Sequence, residues 1–350
     1  MKPKRASTLP PSLAPTIADV ARAAGVSTAT VSRALNQPDT VRPTLRAQVQ
    51  RAVHKLGYVA HAGARSLTLN RSSTVGVIVP TIDNAIFARG LQAFQQRMAQ
   101  ANHVVLLAFS DYSPEQEETQ ALALLARGVD ALALTGLSQR PSLMARLAQR
   151  GLPWVHTGSF PAPAGLACVG LRNGQAMGRA VRYLLDLGHR RIAMLAGISA
   201  NNDRAAERIQ GVRDALAGAG LRLPARRLVE AAYTLQAARD GTRALLAHAP
   251  TPSAIVCGND VLAWGAMLEA QALGVGVPQA LSIVGFDDLE LSRQWQPALT
   301  TVQVPTEVMW AQAADDLLAR LDGRSSAAVQ REVSVELVLR ASTAPPGRPR

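Results

Sequence analysis

Residues 16–36 of this 350-residue chain read TIADVARAAGVSTATVSRALN, which predicts two short helices joined by a glycine turn. Thr16 is suited to cap the first helix, and Asp19 lies three residues further on, as in a capping box. Gly25 allows a sharp turn, and Ser27 is placed to begin the second helix. Two helices with so short a connection indicate a helix-turn-helix unit.

A third helix is predicted directly after this unit. Pro43 suits a first helical turn, and apolar residues recur at helical spacing from Leu45 to Leu56 before Gly57. This helix should close a small core over the first two. The sequence therefore predicts a three-helix domain over residues 16–58.

The charge of the chain is concentrated around this domain. Through Arg71 there are eleven lysine and arginine residues against Asp19 and Asp39, so this segment carries +9 of the net charge of +12. Helix pairs of this size also occur in domains that never touch nucleic acid. The concentrated positive charge, however, favours binding to the phosphate backbone of nucleic acid. Residues 1–15 are basic and proline-rich, which predicts a disordered arm, with contact to DNA as the alternative.

Beyond Arg71 the chain alternates short apolar runs with helical patterns, which is typical of parallel sheets flanked by helices. Two such series follow one another and predict an α/β region with two similar lobes. The predicted strands are 75–79, 104–108, 131–135, 154–157, 192–196, 254–257 and 282–285. The predicted helices are 85–101, 114–126, 141–150, 173–187, 205–219, 236–247 and 261–273.

A series of motifs gives the chain a family resemblance. After residues 16–36 come, in order, LGY (56–58), ARSL (64–67), VGVIVP (75–80), GHRRIAML (188–195), CGNDVLAWGAM (257–267), SIVGFDD (282–288) and LTTV (299–302). In this order they resemble the lactose repressor and purine repressor family of bacterial transcription regulators, from Thr16 to about Thr343. The resemblance implies a helix-turn-helix domain, a hinge, and a two-lobed core like a periplasmic binding protein.

The same resemblance implies how the chain divides. The chain would cross between the lobes three times, near Gly170, near Pro297 and near Arg324. The expected segments are the arm (1–15), the helix-turn-helix domain (16–58), the hinge (59–71), an effector-binding and dimerisation core (72–343) and a tail (344–350). Within the core, the first lobe would hold about 72–170 and 303–324, and the second lobe about 171–302 and 325–343.

The candidate DNA-binding residues lie on the first two helices and in the hinge. Thr28 and Ala29 match the base-reading positions of the family, but both are short, so Arg33 is the better candidate for a bidentate contact to guanine. The full predicted set is Thr16, Ser27, Thr28, Ala29, Thr30, Ser32, Arg33, Asn36, His61 and Leu67.

The hinge is expected to fold on DNA. By resemblance Leu67 wedges between central base pairs in the minor groove and His61 contacts that groove, although Ala60 and His61 replace the proline and asparagine typical of the family. Gly63 and the short length make the free segment a poor helix. The alternative is a flexible tether whose leucine packs against the core.

Candidate effector contacts follow the strands of the core, where ligands bind in open α/β sheets. Arg208, Asn259 and Asp287 match effector-contacting positions of the family, and Phe87 matches an apolar wall. The alternative for Arg208 is a surface charge, and the alternative for Asn259 is a helix cap. Helix capping is the favoured interpretation of Asp260 and Asp288. Trp264 is expected in the core. Gly158 stands where the family often has an aspartate, which removes one expected contact.

Other protein classes find little support. The sequence has no phosphate loop with lysine, HExxH, CxxC or G-x-S-x-G, so neither an enzyme, a cofactor nor a metal is expected. Cys168 and Cys257 are interpreted as reduced core thiols. The sequence therefore predicts a cytoplasmic, homodimeric repressor, associated with the nucleoid, that binds a palindromic double-stranded operator and a small metabolite. The alternatives are a periplasmic sugar-binding protein and a helix-turn-helix domain fused to a sugar-processing enzyme.

Overall fold

A computed structural model of the chain describes residues 15–59, 71–325 and 327–347. The chain forms two compact units that divide between Ser72 and Ser73. Residues 1–14 of the predicted arm, most of the hinge and the last three residues of the tail lie outside the described ranges. Among the described residues, no helix combines the length and the apolar character that crossing a membrane requires.

The first unit is the predicted three-helix domain. It contains α1 (Ile17–Ala24), α2 (Thr28–Asn36) and α3 (Pro43–Leu56), with a short 3₁₀ turn at Pro38–Thr40 that the sequence pattern did not indicate. Its core holds seven buried apolar side chains: Val20, Ala21, Ala24, Val31, Ala34, Val49 and Ala52. Small residues on α1 let the helices approach closely, and Gln48 of α3 donates a 2.9 Å hydrogen bond to the carbonyl of Ala24.

The second unit contains two six-stranded sheets, one in each lobe. The first sheet has the order β11-β5-β4-β3-β1-β2 and is parallel throughout. Its strands are β1 (Thr74–Val79), β2 (Val104–Phe109), β3 (Ala131–Thr135), β4 (Trp154–Ser159), β5 (Cys168–Leu171) and β11 (Gln330–Glu332).

The second sheet repeats this arrangement in the order β12-β10-β9-β8-β6-β7, with one antiparallel pair between β10 and β12. Its strands are β6 (Ile192–Gly197), β7 (Leu228–Ala231), β8 (Ala254–Cys257), β9 (Ser282–Asp287), β10 (Thr300–Gln303) and β12 (Glu336–Val338). Both cysteines are buried in these sheets, in β5 and β8. The predicted α/β class with two parallel-sheet lobes is confirmed.

Helices cover the sheets and connect successive strands. They are α4 (Ala85–Gln100), α5 (Pro114–Ala126), α6 (Pro141–Arg150), α7 (Asn173–Asp186), α8 (Asp203–Gly218), α9 (Leu235–Leu246), α10 (Asp260–Ala272), α11 (Glu290–Gln294) and α12 (Thr306–Leu321). The last of these, α12, packs against α4 of the first lobe, where the rings of Phe94 and Trp310 meet edge to face at 5.9 Å.

Two of the expected crossings between the lobes lie later in the chain than predicted. The strand β10 pairs with β9, so the chain stays in the second lobe through Gln303 and does not leave it near Pro297. The strand β11 pairs with β5, so the return occurs after Glu332 and not near Arg324. Both strands are only three or four residues long, and such short runs give the sequence little periodicity from which to place them.

Candidate functional site

The caps of the first two helices form as the sequence predicts. The hydroxyl of Thr16 accepts the amide hydrogen of Asp19, and the carboxylate of Asp19 accepts the amide hydrogen of Thr16 at 2.9 Å. Gly25 ends α1 in the left-handed region at φ +62°, and the hydroxyl of Ser27 accepts the amide hydrogen of Thr30 at 3.2 Å. Gly25 and the two caps therefore fix the angle at which α2 leaves α1.

This arrangement leaves one face of α2 open to solvent. Val31 and Ala34 are buried against the other helices, whereas Thr28, Ala29 and Arg33 are exposed. Within the described residues, Arg33 takes part in no ion pair. An exposed helix face with a free guanidinium has the chemistry that reads base edges in a major groove.

The remaining predicted DNA-binding residues fall into two groups. Ser27 and Thr16 are exposed caps, while Thr30 and Ser32 are half-buried on α2. His61 and Leu67 lie outside the described residues, as does the side chain of Asn36. The structure therefore does not describe the predicted hinge contacts.

In the second unit a cavity lies between the carboxyl ends of the two sheets. It has a volume of about 60 Å³ and is partly open to solvent. Four of its lining residues are the predicted effector contacts Phe87, Arg208, Asn259 and Asp287. The other lining residues are Asn84, Ile86, Tyr112, Thr135, Thr157, Gly158, Leu171, Asn202, Arg204, Tyr233, Val304, Thr306, Met309 and Trp310.

Arg208 is held by uncharged groups. Its Nε donates to Oδ1 of Asn173 at 3.0 Å, one terminal nitrogen donates to the carbonyl of Gly258 at 2.7 Å, and the guanidinium lies 3.8 Å from the centre of the Phe286 ring. Among the described residues no carboxylate pairs with it. The surface-charge alternative is therefore wrong, because the side chain is directed into the cavity wall.

Asn259 combines two roles that the sequence left as alternatives. Its Oδ1 accepts the amide hydrogen of Leu262 at 2.9 Å, which caps α10. Its Nδ2 is buried and has no hydrogen-bond partner among the described groups, and the residue lines the cavity. A buried amide donor without a partner is unfavourable, so a ligand acceptor would satisfy it.

Asp287 ends β9 in a conformation that few residues adopt, at φ +118°. Its side chain is buried, and burial raises the pKa of its carboxyl to about 8, although the nearby Arg208 acts in the opposite direction. Burial therefore favours the protonated form, which can donate as well as accept a hydrogen bond.

Helix capping was predicted for Asp260 and Asp288, but neither side chain caps the helix that follows it. Asp260 accepts hydrogen bonds from the amide of Leu289 and from the hydroxyls of Ser292 and Thr301, at 2.8, 2.7 and 2.5 Å. Asp288 pairs with Arg340 at 2.6 Å. Both are structural, but through distant parts of the chain that local sequence cannot indicate.

Of the two aromatic residues considered from the sequence, Phe87 lines the cavity and Trp264 does not. Phe87 lines the cavity, as the predicted wall does. Trp264 packs in the core of the second lobe, where it stacks on Trp295 with centroids 6.3 Å apart, and it does not line the cavity.

Several lining residues escaped sequence analysis. Tyr112 follows β2 and could have been found by inspecting every strand end, whereas Tyr233 follows β7, a strand that was not predicted. The two rings lie 6.2 Å apart. Arg204 lies one turn before Arg208 on the same helix and was not identified as a candidate from the sequence.

Comparison with known proteins agrees with both units. Residues 16–61 match the model of bacterial regulatory proteins of the lacI family, and residues 72–338 match that of periplasmic binding proteins and the sugar-binding domain of the LacI family. The chain belongs to the LacI family. It is therefore a DNA-binding transcriptional regulator with an effector-binding domain.

Individual members of the LacI family resemble the chain over almost its full length. The transcriptional repressor CytR of Escherichia coli K12 is 33% identical over 344 residues, covering 98% of this chain and 99% of the relative. The regulator GntR of Pseudomonas aeruginosa is 34% identical over 330 residues, covering 94% and 96%. The lac repressor dimer bound to operator and the anti-inducer ONPF has a TM-score of 0.83 at 26% identity, covering 94% of this chain and 99% of that one.

Within residues 15–59, 71–325 and 327–347, no group of three or more histidine, cysteine, aspartate or glutamate side chains is placed to hold a metal ion. The polar groups that converge do so in the cleft, where they suit an organic ligand.

Proposed function

We propose that this regulator is a cytoplasmic repressor that binds a palindromic operator as a homodimer, and that a small metabolite in the cleft between its lobes changes its affinity for DNA. The metabolite would be a sugar, a sugar acid or a related compound. The observation that carries the proposal is the convergence of Arg208, Asn259 and Asp287 on one cavity between the lobes.

The chemistry of these three groups fits a hydroxylated ligand. A guanidinium presents several N–H donors in a plane, a protonated carboxyl both donates and accepts, and the free amide of Asn259 needs an acceptor. Phe87 adds an apolar surface against which the ring or carbon chain of a ligand packs. Together they can distinguish the positions of hydroxyl groups on a small molecule.

The DNA-binding part of the proposal rests on the first unit. Exposed Thr28, Ala29 and Arg33 on α2 would read base edges, with the rest of the predicted set, Thr16, Ser27, Thr30, Ser32, Asn36, His61 and Leu67, supporting the contact. The palindrome follows from the dimer, because two copies related by a twofold axis present the same helix to two half-sites. The repressor CytR and the operator-bound lac repressor dimer are relatives that support this assignment.

Three measurements test the proposal on the full chain. Sedimentation velocity should give a dimer. Selection from random duplex DNA should return a palindromic site, and binding to that site should change when one member of a panel of sugars, sugar acids and sugar phosphates is added. A monomer that binds DNA without sequence preference, or an operator affinity that no member of the panel changes, would contradict it.

A further inference from the structure

Arg204 occupies a place in the cleft that two glycines of the first lobe leave open. Its side chain is only 11% exposed and lies against Gly136 and Gly158, whose φ angles are +73° and +90°. A β-carbon at Gly136 would collide with the guanidinium, and one at Gly158 would lie 3.0 Å from Cδ of Arg204. The space beside these two glycines is therefore filled by an arginine from the opposite lobe.

Arg204 is held in this place by its neighbour Asp203. The guanidinium donates to one carboxylate oxygen of Asp203 at 2.8 Å. The other oxygen accepts the hydroxyl of Ser159 at 2.5 Å and the amide hydrogen of Leu137 at 3.0 Å, both from the first lobe. Among the described residues Arg204 makes no further hydrogen bond, so part of its five-donor fork remains available to a ligand.

The cleft contains one guanidinium, that of Arg208, that pairs with no carboxylate among the described residues. Among the described residues that line it, Arg204 and Arg208 are cations and Asp287 is the one carboxyl, and Arg204 already pairs with Asp203. Arg208 is bonded to neutral acceptors only, and burial favours the uncharged form of Asp287. A partly buried guanidinium without an opposite charge is unfavourable, and an anionic ligand would supply that charge.

We propose that Arg204 and Arg208 together select an effector that carries an acidic group, a carboxylate or a phosphate, on a hydroxylated carbon skeleton. This inference rests on the effector cleft proposed above. Guanidinium groups bind carboxylate and phosphate through two parallel N–H···O bonds, whereas Asp287 and the free amide of Asn259 suit hydroxyl groups of the same ligand.

The test compares neutral compounds with their acidic counterparts on the full chain. Melting curves are recorded with glucose, gluconate and glucose 6-phosphate, with ribose and ribose 5-phosphate, and with inorganic phosphate as a control for the acid alone, each at about 10 mM. At least one sugar acid or sugar phosphate should raise the melting temperature where its neutral counterpart does not. Comparing the melting temperatures with gluconate and with glucose 6-phosphate shows whether the acidic group that binds is a carboxylate or a phosphate.

Matched variants then assign the effect to Arg204. For the acid that binds, Arg204→Gln should weaken the affinity measured by calorimetry about 10- to 100-fold, because a charge-assisted bond is lost. Arg213→Gln, which removes an exposed arginine from the same helix, should change it less than about twofold. Arg204→Lys keeps the charge but not the fork, so it should bind the acid more weakly than the parent while still preferring it to the neutral compound.

The outcomes separate this inference from the proposed function. A neutral sugar that stabilises the protein as well as its acid overturns the inference and leaves the cleft assignment intact. The absence of a shift with every acidic compound also overturns it, as does an unchanged affinity in Arg204→Gln. Failure of the proposed function shows instead as an operator affinity that neither neutral nor acidic compounds alter.

Discussion

Arg33→Ala is the sharpest test of how this regulator reads DNA. Arg33 is exposed on α2 and has no ion pair within the described residues, so its removal should change the free energy of unfolding by less than about 0.5 kcal/mol. A bidentate arginine-to-guanine contact contributes about 1 to 3 kcal/mol, which corresponds to about a 5- to 150-fold loss of affinity for each half-site. Binding and folding are therefore expected to separate in this variant.

Arg51→Ala provides a matched control. Arg51 is an exposed arginine of the same unit, on α3, and it has no ion pair among the described residues. Removing it takes away the same charge, so it should weaken binding to specific and unrelated DNA alike, which is the behaviour of a phosphate contact. Arg33→Ala should in addition lose the preference for one base in each half-site.

The assay is selection from random duplex DNA with each protein, followed by fluorescence anisotropy on the selected site at several salt concentrations. Circular dichroism melting verifies that both variants remain folded. If Arg33→Ala selects the same bases as the parent, or if Arg51→Ala loses the same base preference, then Arg33 does not read a base and the reasoning fails.

Four further outcomes are expected. Arg208→Ala should leave operator affinity without ligand within about threefold but abolish the response to the effector, and a response of full size in a mobility-shift titration would contradict its role. Because the folded-state pKa of the Asp287 carboxyl is raised to about 8, the parent should lose stability relative to Asp287→Asn as pH rises from about 4 to 8, by up to about 5 kcal/mol in urea unfolding; parallel curves would refute this. Gly211→Ala would collide with the backbone of the neighbouring helix and should lower the melting temperature by at least about 5 °C, whereas Gly218→Ala meets nothing within 4 Å and should raise it slightly. Leu67→Ala should bend a symmetric operator less and bind it more weakly than the parent, with Leu67→Met in between; equal bending by all three would favour a flexible tether.

Local sequence predicted those parts of the fold whose patterns are long. The capping box at Thr16, the glycine turn at Gly25 and the continuous apolar runs of the central strands appear in the structure because each depends on neighbouring residues. The short strands at Gln330–Glu332 and Glu336–Val338 were missed, since three residues give no usable period and their pairing comes from residues far along the chain. The strand Leu228–Ala231 was missed for a similar reason, as a half-buried edge strand.

In the candidate site, too, residues within local motifs were predicted, whereas residues whose contacts come from distant parts of the chain were not. Asp287 and Asn259 were predicted because they directly follow predicted strands within recognisable motifs. Arg204 was not, because its importance depends on the close approach of Gly136 and Gly158 from the other lobe, which no local pattern encodes. Asp260 was interpreted as a cap, but its carboxyl is satisfied by groups that lie about 30 to 40 residues further along the chain.

The first turns of a single helix, α8, join the two lobes at the cleft. Asp203 reaches Ser159 and the amide of Leu137, while Arg208 bonds to Asn173, whose amide donates at 2.9 Å to the carbonyl of Gly158 at the end of β4. A ligand bound by the arginines of this helix must therefore act on groups that already tie it to the first lobe. β4 pairs with β3, and β3 pairs with β1, the strand that begins the core after the first unit. We therefore expect a change in the hydrogen bonds between α8 and β4 to affect the part of the core to which the DNA-binding unit is covalently joined.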